Sequence, residues 1–321
     1  FFCSMWTTFD SKCRSPMNAS DLLYGIDLGG TKIEGVVLED QNNPVVLKRL
    51  RVSTEKEKGY QHIIGQIVKL VEVLMAETGV KPDKIGIGTP GTLEPSTQTM
   101  KNSNTTALNG KYLKRDLERA LSMPVSMAND ANCFAIAEAR LGSIQEKLPD
   151  ARIVFGIIMG TGVGGGLVID GKVHNGRQGI GGEWGHSYMH ESGGKCYCGQ
   201  IGCTETIISG PALERYYHGK AGMEKSLHQI IEDYYEGQDE IATETVNRLL
   251  KYFGQGMASI INMIDPDAII LGGGLSKIDL LYDEGIKSVE KHIFNHKLET
   301  PILRPSLGDS AGVFGAALIK G

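Results

Sequence analysis

The chain has 321 residues, of which 41% are hydrophobic and 22% charged, with a formal net charge of −5. That composition is ordinary for a soluble globular protein, and its slight acidic excess argues against nucleic acid as a partner. No apolar run reaches membrane-spanning length, and the length predicts two domains. The 42 glycines cluster at strand ends, which suggests backbone that a ligand approaches closely.

Residues 1–16 look foreign to the rest. They do not begin with Met and lack the basic and apolar regions of a signal peptide. Met17 is read as the native start and the stretch before it as a remnant without function. Of six cysteines, Cys3, Cys13 and Cys133 are scattered and three lie together. A metal cluster with leftover single cysteines fits a reducing cytoplasm better than a disulfide scaffold.

In chain order, Leu22 to Asp27 predicts a strand, Gly29-Gly30-Thr31-Lys32 a turn, and Ile33 to Leu38 a returning strand. A tight turn alone accounts for the glycines. The functional alternative is a backbone cradle for phosphate oxygens, with Thr31 and Lys32 beside it and Asp27 placed for a hydrated metal. Tyr60 to Thr78 has helical spacing, with Ile63, Ile64, Ile67, Leu70, Val71 and Leu74 on one face and Gly79 as its stop. Lys84 to Gly88 predicts a buried strand running into the turn Thr89-Pro90-Gly91. A polar loop follows, Asn102-Ser103-Asn104-Thr105 and Leu108-Asn109-Gly110, whose amides suit sugar hydroxyls as well as water. Leu113 to Leu121 predicts a helix. The strand Val125 to Ala128 ends at Asn129-Asp130, and Ala131 to Leu141 predicts the next helix. A carboxylate at a strand end opens on the cleft of an α/β sheet. Helix capping by Asp130 is the plainer reading, and it leaves Asn129 unexplained.

Ile153 to Met159 predicts a strand, followed by Gly160-Thr161-Gly162-Val163-Gly164-Gly165-Gly166 and a strand at Leu167 to Ile169. The glycines match a dinucleotide fingerprint literally, but that motif needs a helix next, so it is rejected. What remains is a second glycine hairpin that echoes the first. Gly181 to His186 and Cys196 to Glu205 then hold the most specific pattern. His186, Cys196, Cys198 and Cys203 have the chemistry and spacing of a four-ligand structural zinc site. Glu183 and Glu205 flank it. Two helices are predicted, Gly210 to Tyr217 and Glu240 to Ile264, then a strand at Ala268 to Leu271 running into Gly272-Gly273-Gly274. A small-residue helix closes the chain at Ala311 to Ile319.

These motifs, in this order and over residues 22–319, resemble the ROK family of sugar kinases and repressors. The loop from Lys101 to Gly110, the Gly182-Glu183-Trp184-Gly185-His186 segment and Cys196-Tyr197-Cys198 are most similar to the fructokinases and mannokinases of that family. The resemblance implies an α/β, two-domain, actin-like (ribonuclease H-like) fold with an interdomain cleft. The small domain would span 17–140 with the last segment, 306–321, returning to it, and the large domain 141–305. It implies ATP held by Asp27, Gly29, Gly30, Thr31, Lys32, Gly160, Thr161, Gly162 and Gly164 at its phosphates and by Gly272, Gly273 and Gly274 near its adenosine. Sugar contacts would come from Asn104, Asn129, Glu183, His186 and Glu205. Asp130 would take the proton from the primary hydroxyl, with Mg²⁺ neutralising the phosphates. D-fructose is the expected acceptor, and a large Trp184 is expected to crowd an N-acetyl group. A homodimer without membrane or nucleic-acid partners is expected. A sugar-sensing repressor of the same family is disfavoured, because only about twenty residues precede the first strand and a helix-turn-helix domain needs more.

Overall fold

The computed structural model describes residues 22–39 and 45–319, so the predicted remnant lies outside it. Strands β1 (Leu22–Leu28) and β2 (Lys32–Glu39) form the first hairpin and β3 (Val45–Ser53) extends it. All three pair antiparallel, with Asp27 opposite Glu34. Helix α1 (Tyr60–Thr78) buries the six aliphatic side chains that its periodicity marked. Gly79 stops it at φ 69, its N–H bonded to the Met75 carbonyl, a left-handed conformation that favours glycine. Strand β4 (Ile85–Thr89) is buried at every position, as parallel strands covered on both faces are. The short hairpin β5 (Thr92–Leu93) and β6 (Met100–Lys101) leads to α2 (Leu113–Leu121), β7 (Val125–Asn129), α3 (Asp130–Arg140) and α4 (Ser143–Lys147).

The pattern then repeats. Strands β8 (Ile153–Met159), β9 (Val163–Ile169) and β10 (Lys172–Val173) form an antiparallel meander. Helices α5 (Glu205–Ile208), α6 (Gly210–Ala221), α7 (Leu227–Glu236) and α8 (Glu240–Ile264) follow, then β11 (Ala268–Gly272), α9 (Glu284–Glu290), β12 (Ile302–Leu303) and α10 (Ala311–Leu318). The two five-stranded sheets read β3-β2-β1-β4-β7 and β10-β9-β8-β11-β12. Each has a central strand with an antiparallel meander on one side and two parallel strands on the other.

Two helices join these units. Helix α3 follows β7 of the first sheet but packs on β8 and β9 of the second, while α10 packs on β1 and β4 of the first and against α3. The small residues of α10 make this possible. A Cβ on Gly315 would stand 1.8 Å from the Cys133 carbonyl oxygen, and one on Gly86 1.7 Å from that of Ala316. No side chain fits where backbone meets backbone this closely.

Several expected bounds shift. The second glycine hairpin returns at Val163, not Leu167, so Gly164, Gly165 and Gly166 lie within β9. Neighbours press on two of them: a Cβ on Gly166 would meet the Ala131 carbonyl at 2.6 Å, and one on Gly165 that of Gly182 at 2.5 Å. Helix α6 runs on to Ala221. Helix α7 had no counterpart in the sequence reading, although Ser226 and Gln229 form the capping box that starts it.

Candidate active site

The strand ends of both sheets open on one cavity of about 300 Å³. From the first unit come Pro90, Gly91, Asn102, Asn104, Asn129 and Asp130. From the second come Gly160, Thr161, Gly162, Gly164, Glu183, His186, Tyr197 and Glu205.

The bend from β7 into α3 divides its duties between two residues. Asn129 is the cap: its Oδ1 accepts the Asn132 N–H at 2.8 Å. Asp130 is therefore not the capping residue, and its Oδ1 instead accepts the N–H of Ala131 at 2.8 Å. The Asp130 carboxylate is open to the cavity but walled by protein, and this enclosure raises its pKa, with the local N–H bonds opposing. The Asn129 amide is also turned across the cleft, Nδ2 donating to Glu183 Oε1 at 3.3 Å. Burial pushes the Glu183 carboxyl up as well, while His186 pulls it down and Asp130 pushes it up. Glu205, at the start of α5, accepts the Val163 N–H through Oε2 at 2.9 Å. That bond fastens the second glycine hairpin to the cysteine-rich loop. A Cβ on Gly162 would lie 2.6 Å from the same oxygen, so a larger residue there would have to displace the Glu205 carboxylate.

Asp27 lies at the end of β1. Burial pushes its pKa up to about 6, Asp130 and Glu34 add to this, and Lys32 opposes it. Lys32 stands across the turn, its carbonyl accepting the Gly29 N–H at 2.9 Å. Buried Thr54 braces the turn from outside, donating to the Gly29 carbonyl at 2.8 Å. The tip at Gly30 is bare: a Cβ there would find Thr105 Oγ1 at 3.7 Å and Lys56 Nζ at 3.9 Å and nothing nearer.

The His186, Cys196, Cys198 and Cys203 donor atoms all lie within 4.8 Å of one another. Cys198 and Cys203 sulfurs are 3.6 Å apart, and Cys196 Sγ is 3.6 Å from His186 Nδ1. A tetrahedral ion with bonds of about 2.3 Å to sulfur sets its donors roughly 3.8 Å apart, so the cluster has the size of a metal site. The turn that gathers the sulfurs is held by Cys196 N–H on the Gln200 carbonyl at 2.8 Å, with Gly199 at φ 94 and Gly202 at φ 77.

The sequence matches the ROK family over residues 23–320. The chain belongs to the ROK family. An N-acetyl-D-glucosamine kinase of Aliivibrio salmonicida is 37% identical to it over 309 residues, covering 93% of this chain and 99% of that one. The ROK hexokinase of Thermus thermophilus superposes with a TM-score of 0.82 at 31% identity, covering 93% and 97% of the two chains. A ROK glucokinase of Streptomyces griseus, solved with glucose and AMPPNP, superposes at 0.72 with 29% identity over 92% and 98%. The duplicated architecture described above is thus the actin-like α/β fold of these ROK proteins.

Within this ROK chain the expected residues divide. Asn104, Asn129, Asp130, Glu183, His186, Glu205 and the hairpin Gly160, Thr161, Gly162 and Gly164 line one cavity. The hairpin of Gly29, Gly30, Thr31 and Lys32 does not line it. Gly272 faces the Phe134 ring, which a Cβ would meet at 2.5 Å, and Gly273 faces the Met159 backbone at 2.3 Å. Only Gly274 of that trio has open space, beside Gly160. Trp184 does not crowd the cavity. It is buried beneath β9, its Nε1 donating to the Gly164 carbonyl at 3.1 Å and its ring against Gly256. Asn109 also turns away, clamping Ser103 through both amide groups at 2.9 and 3.0 Å. Tyr197, Pro90 and Gly91 line the cavity although they were not among the expected site residues, while Asn102 belongs to the amide-rich loop expected to face a sugar. The Pro-Gly pair was visible as a turn, and Gly91 takes φ 109; Tyr197 carried no signal apart from the cysteines around it.

Proposed function

We propose that the protein is an ATP-dependent hexose kinase that transfers the γ-phosphate to the primary hydroxyl at O6 of D-fructose. One observation carries the reading. Asp130, among the described residues the one carboxylate of the first unit in the cavity lining, stands in one space of about 300 Å³ with hydroxyl-reading groups and a glycine hairpin. A general base, a polar acceptor pocket and a phosphate cradle are what in-line phosphoryl transfer requires. In this reading Asp130 holds the proton of the attacking hydroxyl, and Asn104, Asn129, Glu183, His186 and Glu205 orient the sugar. The two glycine hairpins and Gly274 hold ATP, and the two sheet units act as the small and large lobes. Asp27 would hold hydrated Mg²⁺, which when bound neutralises phosphate charge. Zinc is the metal that suits three thiols and one imidazole, and its role there is structural, since four protein ligands leave no open position. A cytoplasmic homodimer accords with this assignment.

A second acceptor has support of its own. The Aliivibrio salmonicida relative is named for N-acetylglucosamine, and Trp184, buried as it is, offers no obstacle to that sugar. Fructose is favoured by the likeness of the Lys101 to Gly110 loop and the Glu183-Trp184-Gly185-His186 segment to fructokinases. The test is ADP release with saturating MgATP and fructose, mannose, glucose or N-acetylglucosamine. Fructose should lead in kcat/KM by about tenfold or more. A lead of that size for N-acetylglucosamine or glucose would overturn the fructose assignment, and no ADP release with any of the four would overturn the kinase itself.

A further inference from the structure

The turn that gathers the cysteines carries Tyr197 between Cys196 and Cys198. Holding an ion does not require an aromatic side chain at that position. The residue is 71% exposed, yet it lines the cavity beside Glu183, His186 and Glu205. Its hydroxyl is 2.9 Å from His186 Nε2, and the two rings meet edge to face with centroids 5.1 Å apart. The other imidazole nitrogen, Nδ1, faces Cys196 Sγ. Nε2 is thus the nitrogen of His186 left for a ligand, and in this chain the tyrosine hydroxyl already occupies it. A sugar hydroxyl that reaches His186 has either to displace that phenol or to bond it.

We infer that Tyr197 is a substrate-contacting residue that sets acceptor specificity: its hydroxyl bonds the sugar together with His186, and its ring limits the size of the substituent admitted beside them. This rests on the sugar-kinase reading. An aromatic ring offers an apolar face to sugar C–H groups and a polar tip to its hydroxyls. Here the residue sits on the same loop as the three thiols, and its contact with His186 Nε2 sets where the tip lies. An acetamido group is larger than a hydroxyl and has to pass the ring. The exclusion that the sequence assigned to Trp184 falls to Tyr197.

The experiment compares kcat and KM for fructose and N-acetylglucosamine in the wild type, Tyr197→Phe and Tyr197→Gly, with zinc per chain measured on each. Tyr188→Phe, on the same loop, 70% exposed and outside the cavity lining, is the control. Tyr197→Phe should raise KM for fructose about fivefold with a smaller change in kcat, as loss of one hydrogen bond does. Tyr197→Gly should move the ratio of kcat/KM towards N-acetylglucosamine by about tenfold. Both variants within twofold of wild type in KM and in ratio overturn the proposal. Should Tyr197→Gly lose its metal, Tyr197→Phe, which leaves the loop backbone alone, decides. Should the wild type phosphorylate no hexose, the kinase reading fails, and calorimetric binding of fructose decides for Tyr197: equal affinity in wild type and Tyr197→Phe overturns it.

Discussion

Asn129 and Glu183 meet across the cleft, the amide of one 3.3 Å from the carboxylate of the other. Asn129 ends the last strand of the first sheet, and Glu183 sits in the loop after the second meander. The same Asn129 side chain caps α3. One residue therefore fixes the helix that carries Asp130 and touches the opposite wall of the site. Asn129→Ala should cost about 1 kcal/mol from the cap, lower Tm by about 1–2 °C, and raise KM for the sugar by up to about tenfold. Thermal melts and steady-state kinetics check both halves. An unchanged Tm would mean that the cap is dispensable, and an unchanged KM that the amide does not serve the sugar.

Asp130 carries no capping duty, so its replacement should spare the fold. Asp130→Asn should melt no lower than wild type and reduce kcat by about 10²–10⁴, the usual contribution of a positioned general base. The wild-type rate should also fall with acid at a pH above the ordinary carboxylate range, because enclosure raises this pKa. Turnover of the variant within a few-fold of wild type would remove Asp130 from the mechanism.

The cysteine-rich loop gives a third expectation. One zinc per chain should be found in protein purified without chelator. Cys198→Ser should lose it and raise KM for the sugar, since His186 is both a donor of the cluster and a wall of the cavity. Metal analysis with less than a stoichiometric ion in the wild type would contradict the assignment. So would a metal-free variant with unaltered KM.

What the sequence disclosed follows from the range of the forces involved. Helix α1 was legible from end to end because its aliphatic period and its terminal glycine are local signals. The gathering of His186 with Cys196, Cys198 and Cys203 was legible because their spacing is chemical. The destination of α3 was not, since nothing within Asp130–Arg140 says that it leaves its own sheet to pack on β8 and β9. Glycines misled for a related reason. Gly272 and Gly273 resemble ligand-facing positions, but Phe134 and Met159, distant in sequence, press on them. A missing side chain signals close approach without saying what approaches. Trp184 failed in the same way: its size was known and its direction was not.

Asp27 offers a test that separates stability from activity. Its carboxyl titrates at about 6 in the folded protein against 3.8 for a free aspartate, chiefly because it is buried, and Asp130 and Glu34 lie near it. A raised carboxylate pKa means that the folded state binds the proton more tightly than the unfolded chain. Between pH 4 and pH 6 the folded state therefore holds more protons, and stability falls as pH rises through that window. Above it, the ionised Asp27 costs the fold about 2–3 kcal/mol, at about 1.4 kcal/mol for each tenfold difference in proton affinity between the folded and unfolded chain. Asp27→Asn removes that charge. The variant should be more stable than wild type by about 2 kcal/mol at pH 7.5, and the gain should shrink steeply towards pH 4 and vanish about one pH unit lower, where Asp27 is neutral in both states. Activity should move the opposite way if the carboxylate has the role proposed for it, that of holding hydrated Mg²⁺ at the phosphates. Urea unfolding at pH 4 and pH 7.5, with turnover at saturating MgATP, checks both parts. A stability difference that does not depend on pH would show that the buried charge at Asp27 is not a burden on the fold.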